Sequence, residues 1–326
     1  MTAAAAGSGW HYRAVALSVV ASAVGYLVFS LWAGWQPVSH AVVAVGVGGT
    51  LLALMMSSIN YGLRFIRWQT YLRLMKQPVP WRASLRIYLA GFALTTTPGK
   101  AGEALRGVLL KSYGVPWPKS FAAFFSERLS DLFAVVLLTL FGLSVYPQAQ
   151  PLIFLGLGLV AVGLLVLSQA SLLRALQSWL AERPGKVAAL LRAPVQVVLE
   201  AQRCHKPWVL LWTTALSVLA WSAEAVAFHW VLQWMGADVP LAFAVFVYAL
   251  AMLAGAISFM PGGLGGTEAV MVGLLMWKGM PGGDAVAATV LIRLATLWFA
   301  VGLGALMLMR CKRLGAGGPG VGPVTT

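Results

Sequence analysis

Long apolar runs constrain this chain more than any other feature. The run Val38–Leu63 contains no Asp, Glu, Lys or Arg, and a helix needs about 20 mostly apolar residues to cross a bilayer. Runs of this kind recur along the 326 residues. Because a backbone inside lipid must satisfy its own hydrogen bonds, the runs predict helices. We therefore expect an all-α, polytopic integral membrane protein.

Hydropathy and the positions of Pro and Gly together predict about six full spans. They are Arg13–Trp35, Val38–Leu63, Ser120–Tyr146, Pro151–Ala170, Pro207–Gly236 and Asp284–Arg310. Two further apolar stretches, Trp81–Tyr113 and Pro240–Met280, are each interrupted by a Pro-Gly sequence. Their arms of about 11 to 20 residues are short for two complete crossings, so they predict re-entrant helical hairpins.

The distribution of charge predicts how these elements are oriented. A net charge of +14 would suggest nucleic acid in a soluble protein, but no nucleic-acid motif is present, and basic residues collect in cytoplasmic loops. The basic segments Arg64–Arg86, Arg174–Lys206 and Arg310–Arg313 are therefore expected on the cytoplasmic side. All three basic segments fall on the cytoplasmic side if each hairpin returns to the membrane face from which it entered. The hairpins then enter from opposite faces, which is typical of an inverted repeat.

These assignments divide the chain and place it in the cell (inner) membrane with both termini in the cytoplasm. The predicted parts are a short N-terminus at 1–12, a transmembrane domain at 13–310 and a disordered tail at 311–326. Inside the domain, the halves cover about 64–146 and 207–310, and the amphipathic linker 171–206 predicts a pair of helices lying on the bilayer.

The two interrupting loops resemble each other. One runs Pro98-Gly99-Lys100-Ala101-Gly102-Glu103, and the other runs Pro261-Gly262-Gly263-Leu264-Gly265-Gly266-Thr267-Glu268. Arg128 follows Glu103 by 25 positions, and Arg293 follows Glu268 by 25. A similar offset between two separated features indicates an internal repeat.

Such loops suit the binding of an anion. Proline ends the incoming arm, glycine lets the backbone approach a ligand, and the unpaired N–H groups of the following helix attract negative charge. Charged side chains within the membrane are costly and face a partner or a wet cavity. Two interpretations stay open: the charges form internal salt bridges that pin the hairpins, or they line a gated cavity that binds cargo.

Four motifs, taken together, resemble one known family. They are Arg64-Phe65-Ile66-Arg67-Trp68, the stretch Thr97 to Arg106, Glu127-Arg128-Leu129-Ser130-Asp131, and Pro261 to Glu268 with Arg293. In order and spacing they resemble the lysylphosphatidylglycerol synthase transmembrane (flippase-like) family, from about Ala14 to Met309. Bifunctional members carry a soluble aminoacyltransferase domain after the membrane part. The sequence up to Thr326 has none, so we do not expect lipid aminoacylation.

The resemblance implies movement of anionic or aminoacylated phospholipids, or of polyprenyl-phosphate-linked lipids, between leaflets. We expect Arg64, Arg67, Lys100 and Arg106 to collect a headgroup at the cytosolic rim, Gly102 and Gly266 to hold its phosphate, and Arg128 and Arg293 to offset its charge. The residues predicted to serve gating or ion coupling are Pro98, Gly99, Glu103, Glu127, Asp131, Pro261, Gly262, Gly263 and Glu268. We expect no enzymatic activity, metal or cofactor.

Two other functions stay open at this point. A membrane scaffold would recruit a lipid or cell-envelope biosynthesis enzyme through Ser171–Lys206. An intramembrane enzyme would need a nucleophile or a metal site, for which the sequence shows no motif.

Overall fold

The computed structural model describes Val24 and residues 35–97, 101–140, 150–183, 185–258 and 260–315. Its helices are α1 (Trp35–Leu74), α2 (Trp81–Ala90), α3 (Ala101–Lys111), α4 (Trp117–Thr139), α5 (Gln150–Ser168), α6 (Ala170–Glu182), α7 (Lys186–Gln202), α8 (Pro207–Trp234), α9 (Leu241–Ile257), α10 (Gly266–Trp277), α11 (Gly282–Arg293) and α12 (Phe299–Gly315). Strands are absent from these residues, which confirms the predicted all-α class. Most of the predicted span Arg13–Trp35 lies outside them.

Three helical segments, the first of them kinked at Gly46 (φ 61°), are long and apolar enough to cross a membrane. They are Gln36–Leu74, Pro207–Trp234 and Gly282–Arg310. Helices α5 and α6 pass the same test as a pair, but they are bent by 66° at their junction. Val43, before the kink of α1, and Val47 and Leu51, after it, are 61% to 80% exposed. These apolar side chains are suited to contact with lipid.

Helix α1 is longer than the sequence predicted. We expected the span to end at Leu63, before the basic residues, but the helix continues to Leu74. The prediction was wrong because Arg64 and Arg67 find carboxylates on α4, so their charges stay inside the protein. The helix ends where Lys76 takes a positive φ of 55°, just before two prolines.

Both interrupted stretches are broken, but in the first the α-helix already ends at Ala90, before the predicted Pro98-Gly99, which lies outside the described residues. After α2 the chain forms a 3-10 turn, Gly91–Leu94, and α3 begins at Ala101. The hydroxyls of Thr95 and Thr97 donate to the carbonyls of Phe92 and Leu94, so these threonines satisfy carbonyls freed before the break.

The second break lies between α9 and α10. It contains the 3-10 turn Pro261–Gly263, and Gly262, Gly263 and Gly265 all have positive φ. Side chains strongly disfavour this left-handed backbone, so glycine is required for the tight reversal.

The linker 171–206 forms the helical pair that its pattern predicted. Leu180 of α6 packs with Ala188 and Val195 of α7 in a small apolar cluster. Beyond it, Ala201 and Cys204 are fully buried in the same core as residues of α1 and α4. The end of α7 is therefore part of the folded domain. At the other end of the chain, α12 extends to Gly315, so residues 311–315 of the predicted disordered tail are helical.

Candidate functional site

The centre of the candidate site is an ion-pair network between α1 and α4. Arg64 and Arg67 lie three residues apart on α1, and Glu127 and Asp131 lie four apart on α4, so each pair shares one helical face. Arg67 Nη1 lies 2.7 Å from Asp131 Oδ1, and Arg64 Nη2 lies 3.2 Å from Asp131 Oδ2. The side chains of Arg67 and Glu127 are 0% exposed. The network is therefore buried inside the protein.

Arg106 brings the first interrupted stretch into this network. It projects from α3, and its Nη1 lies 3.0 Å from Glu127 Oε2. Its guanidinium group stacks on the ring of Tyr88, 4.3 Å from the centroid, and also lies over Trp68 and Phe92. Stacking on aromatic faces lowers the cost of burying a guanidinium charge.

Helix α8 closes the network from another side. Trp221 Nε1 donates to Asp131 Oδ1 at 3.2 Å, and Ser217 Oγ accepts a hydrogen bond from Arg67. Arg128 Nη2 lies 3.0 Å from Asp131 Oδ2, and its side chain is 37% exposed. Asp131 is thus the common partner of three arginines.

We call Arg64, Arg67, Arg106, Glu127, Arg128 and Asp131 the first charge cluster. Among the side chains that the structure describes, it holds four cations and two anions. The network leaves several of its buried polar atoms without a hydrogen bond. They are Arg64 Nε, Arg67 Nε and Nη2, Arg106 Nε, Arg128 Nε and Glu127 Oε1. A buried polar group is normally paired, so this excess of charge and of free donors calls for an explanation.

The second interrupted stretch carries a balanced pair, the second charge cluster. Arg293 Nε lies 2.7 Å from Glu268 Oε1, and its Nη2 donates to the Gly262 carbonyl at 2.9 Å. The other carboxylate oxygen, Glu268 Oε2, accepts a bond from the Gly265 amide at 2.6 Å. Both side chains are 4% exposed. Here the charges bind each other and fix the loop, as the salt-bridge interpretation predicted.

A further carboxyl group lies between the two clusters. Glu224 of α8 is 4% exposed and accepts a 2.6 Å hydrogen bond from the Tyr248 hydroxyl. It is within electrostatic range of Arg64 on one side and Arg293 on the other. Together with the two clusters it forms a continuous polar centre, with five arginines and four carboxyl groups among the described side chains.

The two loops meet beside this centre. A Cβ placed on Gly262 would lie 3.4 Å from Thr96 Cγ2 and 3.6 Å from the Thr95 carbonyl oxygen. Thr95 and Thr96 come just before the first break, and Gly262 lies in the second. The two loops, about 165 residues apart in the sequence, are therefore adjacent in the folded protein.

Comparison with known proteins agrees with this arrangement. Residues 14–304 match the family described as the lysylphosphatidylglycerol synthase TM region. The chain belongs to this family. A UPF0104 membrane protein of Pyrococcus horikoshii is 24% identical over 317 residues, which cover 88% of this chain and 94% of the relative. Another, from Methanothermobacter thermautotrophicus, is 23% identical over 280 residues, which cover 78% of this chain and 82% of the relative.

Membership of the lysylphosphatidylglycerol synthase transmembrane family confirms the resemblance seen in the sequence. The match includes both charge clusters and both interrupted stretches. It supports a membrane location and suggests a role connected with membrane lipid.

Several predicted site residues occupy other surroundings than we expected. We placed Arg67 and Arg106 at a cytosolic rim, but they are 0% and 4% exposed. They pair with Glu127 and Asp131, which come from a helix distant in sequence. The rim placement itself stays a prediction, because burial inside the protein does not give a depth in the membrane. Arg64 is part of the same network, with 12% of its side chain exposed.

The expected phosphate-binding glycines lie at tight backbone contacts. A Cβ on Gly102 would collide with the carbonyl oxygen of Gly91, and one on Gly266 would lie 3.2 Å from Ser258 Oγ. Helix packing alone therefore explains the need for glycine at position 102, whereas at Gly266 a Cβ would require only a small shift of the Ser258 side chain. Arg128, which we expected to offset the charge of the headgroup, is paired with Asp131.

Some of the predicted site residues or their side chains lie outside the part of the chain that the structure describes. These are Pro98, Gly99 and Lys100, and the side chains of Glu103 and Pro261.

Sequence reasoning did not include Tyr88, Ser217, Trp221 and Tyr248 in the site. Tyr88 is fully buried and stands in the arm just before the first break, so its place in an interrupted stretch was the available signal. Ser217 and Trp221 lie four residues apart on α8, an ordinary helical spacing that no local pattern distinguishes. Their role is visible only once α1, α4 and α8 are packed together.

Proposed function

We propose that this member of the family moves an anionic lipid between leaflets, through a polar site between the two interrupted loops. The cargo would be an anionic phospholipid or a polyprenyl-phosphate-linked lipid. The observation that carries the proposal is the first charge cluster, with its four cations, two anions and unpaired guanidinium nitrogens. A headgroup phosphate would supply negative charge to balance the excess of cations and oxygen acceptors for the guanidinium nitrogens.

The energetic argument starts from the cost of this arrangement. An unpaired buried donor costs about 1–3 kcal/mol, and several are present around Arg67 and Arg106. A purely structural network would be more stable with equal numbers of cations and anions. An imbalance that persists in a folded core is typical of a binding site, where the ligand completes the set.

The structure has the features of an occluded state. Arg67 and Arg106 are enclosed, so a headgroup reaches them only if the loops separate. The contact between Gly262 and Thr95–Thr96 is where we place this opening, and the Glu268–Arg293 pair would keep the second loop rigid as it moves. Transport would then follow alternating access, by rocking of the two halves around the site.

We further propose that both termini are cytoplasmic in the cell (inner) membrane and that the hairpins enter from opposite faces. The basic segments of the sequence support this orientation. Reporter fusions at Gln148 and Asp238 test it, because both positions should then be outside the cytoplasm. A cytoplasmic signal from either fusion would contradict the inverted arrangement. We propose no enzymatic step for the chain.

Liposomes that contain the purified protein and a fluorescent phosphatidylglycerol test the function. Dithionite added outside bleaches the label only on lipids that reach the outer leaflet. We expect Arg67→Gln and Arg106→Gln to slow leaflet exchange at least tenfold. Arg203→Gln is the matched control, because Arg203 forms an ordinary ion pair with Glu200, 3.2 Å apart, on the surface of α7.

The variants must first elute as folded protein in size-exclusion chromatography. Full exchange by folded Arg67→Gln and Arg106→Gln, or equal loss in Arg203→Gln, would overturn the proposed site. No exchange by the wild type for any lipid would overturn translocation itself.

A second function, a scaffold for a lipid-modifying enzyme, has one observation in its favour. A cavity of about 420 Å³ between α6 and α7 is lined by polar and basic residues, among them Arg174, Glu200, Arg203 and Lys206. Replacing the three basic residues with Gln tests it without deleting the buried end of α7. A scaffold would then fail in cells, whereas a translocase would keep its exchange rate in liposomes.

A further inference from the structure

We propose that the first charge cluster selects headgroups that offer phosphate oxygens and carry no amine. Anionic phosphate lipids would be moved, whereas lipids with an added ammonium group, including aminoacylated ones, would be rejected. This proposal rests on the translocation proposed above and names its substrate class. The evidence for it is which donor and acceptor atoms of the network lack a hydrogen bond.

The atoms left without a hydrogen bond are mostly donors. At the first charge cluster they comprise five guanidinium nitrogens and the Tyr88 hydroxyl, against two acceptor oxygens, Glu127 Oε1 and Asn60 Oδ1 one turn before Arg64, and the Ser126 hydroxyl, which can donate or accept. A guanidinium nitrogen can only donate, and an ammonium group can only donate as well. Phosphate oxygens only accept. The complement of the network is therefore a phosphate.

The free carboxylate oxygen of the first charge cluster is a poor partner for an amine. Glu127 Oε1 lies 3.8 Å from Arg67 Nη2, so its charge is already largely offset by that guanidinium group. An ammonium group brought to Glu127 would also stand among four arginines. Like charges at such distances repel strongly where water is excluded.

Tyr88 gives the network a donor in a fixed position. Its side chain is 0% exposed, and its hydroxyl has no hydrogen-bond partner. The hydroxyl is within electrostatic range of Arg64, Arg67 and Arg106 and of the anion Glu127. The ring is held by Arg106 on one face and by edge-on or tilted contacts with Phe65 and Phe92, whose centroids are 5.5 and 5.2 Å away. The hydroxyl is thus a buried, oriented donor without a recipient.

The aromatic faces offer no alternative site for an amine. Quaternary and primary ammonium groups are often bound over aromatic rings. Arg106 already lies over Trp68, Tyr88 and Phe92. A choline or lysyl ammonium would have to displace this guanidinium group and break its ion pair with Glu127.

The test compares five lipids with the same labelled acyl chain in liposomes containing the wild-type protein. They are phosphatidylglycerol, phosphatidate, phosphatidylethanolamine, phosphatidylcholine and lysyl-phosphatidylglycerol. We expect the first two to exchange at least tenfold faster than the other three. Equal rates for all five would overturn the selectivity and leave translocation standing, whereas no movement of any lipid would overturn translocation.

Inorganic phosphate offers the same acceptor oxygens as a lipid headgroup, so a second assay distinguishes the two ligands. Liposomes loaded with inorganic phosphate are followed for its release, at equal protein content. Retention of phosphate while phosphatidylglycerol exchanges supports a lipid cargo. Release of phosphate without lipid exchange would overturn the proposal.

Tyr88→Phe separates binding from folding. The change keeps the ring beneath Arg106 and removes only a hydroxyl that has no partner in the protein, so we expect the melting temperature to stay the same or rise. The rate for phosphatidylglycerol should fall roughly tenfold, because a hydrogen bond to a charged group is lost. The ratio of that rate to the rate for lysyl-phosphatidylglycerol should fall with it.

Tyr61→Phe is the matched control. The Tyr61 hydroxyl donates to the Thr296 carbonyl, so its removal should lower the melting temperature and leave the ratio of rates unchanged. An unchanged ratio in Tyr88→Phe would overturn the selectivity, as would an equal fall of the ratio in Tyr61→Phe.

Discussion

The Glu268–Arg293 pair allows a quantitative test of how the second loop is held. We consider Arg293→Met, Glu268→Gln and the double variant as a thermodynamic cycle. Methionine keeps much of the length and apolar volume of arginine, and glutamine keeps the shape of glutamate. The variants therefore remove charge and hydrogen bonds with little change in packing.

The expected magnitude follows from burial and contacts. Arg293 and Glu268 are 4% exposed and 2.7 Å apart, and Arg293 also donates to the Gly262 carbonyl. Removing one partner of a buried pair costs about 3–5 kcal/mol, because the other charge is left uncompensated. We expect Arg293→Met to lie in this range. The double variant should lose less than the sum of the single losses, with a coupling of about 2–3 kcal/mol.

The free energy of unfolding can be measured in mixed micelles, with SDS fraction as the denaturant and tryptophan fluorescence as the signal. A matched cycle on Arg203 and Glu200 provides the control. This pair is 3.2 Å apart, but Arg203 is 52% exposed, so its coupling should be about 0–1 kcal/mol.

Two results would refute the reasoning. One is additive losses in the Glu268–Arg293 cycle, which would mean that the pair does not hold the loop. The other is a coupling no larger than that of the control, which would mean that burial does not strengthen it.

Two further predictions concern the loop contact and the core. Gly262→Ala and Gly114→Ala both place a side chain at positive φ, 63° and 76°, and each should cost about 1–2 kcal/mol of stability. Only Gly262→Ala should also slow lipid exchange, because Gly262 faces Thr96 whereas Gly114 has nothing within 4 Å; equal exchange rates would count against the loop contact as the point of opening. Burial raises the pKa of the Cys204 thiol to about 12, so in a Cys311→Ser background maleimide should label Cys204 very slowly from about pH 7 to 9, where little thiolate forms. Rapid labelling of the folded protein would contradict this burial.

The helices and their breaks were largely predictable because their causes are local. Proline removes a donor and glycine adopts the left-handed backbone, so the interruptions near residue 98 and at Gly262 could be located from the sequence. The spacing of 25 residues linked Glu268 with Arg293, and these two side chains do form an ion pair.

The burial of the basic residues could not be predicted in the same way. A run containing Arg64 and Arg67 after an apolar span is typical of a cytoplasmic loop. What keeps both arginines inside is Asp131, which lies more than 60 residues away in sequence. No local pattern shows which helix face will meet which, so the first charge cluster becomes visible only in the packed structure.

The two halves use similar loops for different purposes. In the second, one arginine, one glutamate and two backbone groups satisfy one another. Such a closed set is suited to rigidity and has no need of a ligand. In the first half, Asp131 pairs with three arginines and Glu127 with two, yet several donors, the Tyr88 hydroxyl among them, have no hydrogen-bond acceptor among the described side chains. This contrast between the halves supports the proposal that the first charge cluster binds the headgroup and that the Glu268–Arg293 pair serves as its rigid counterpart.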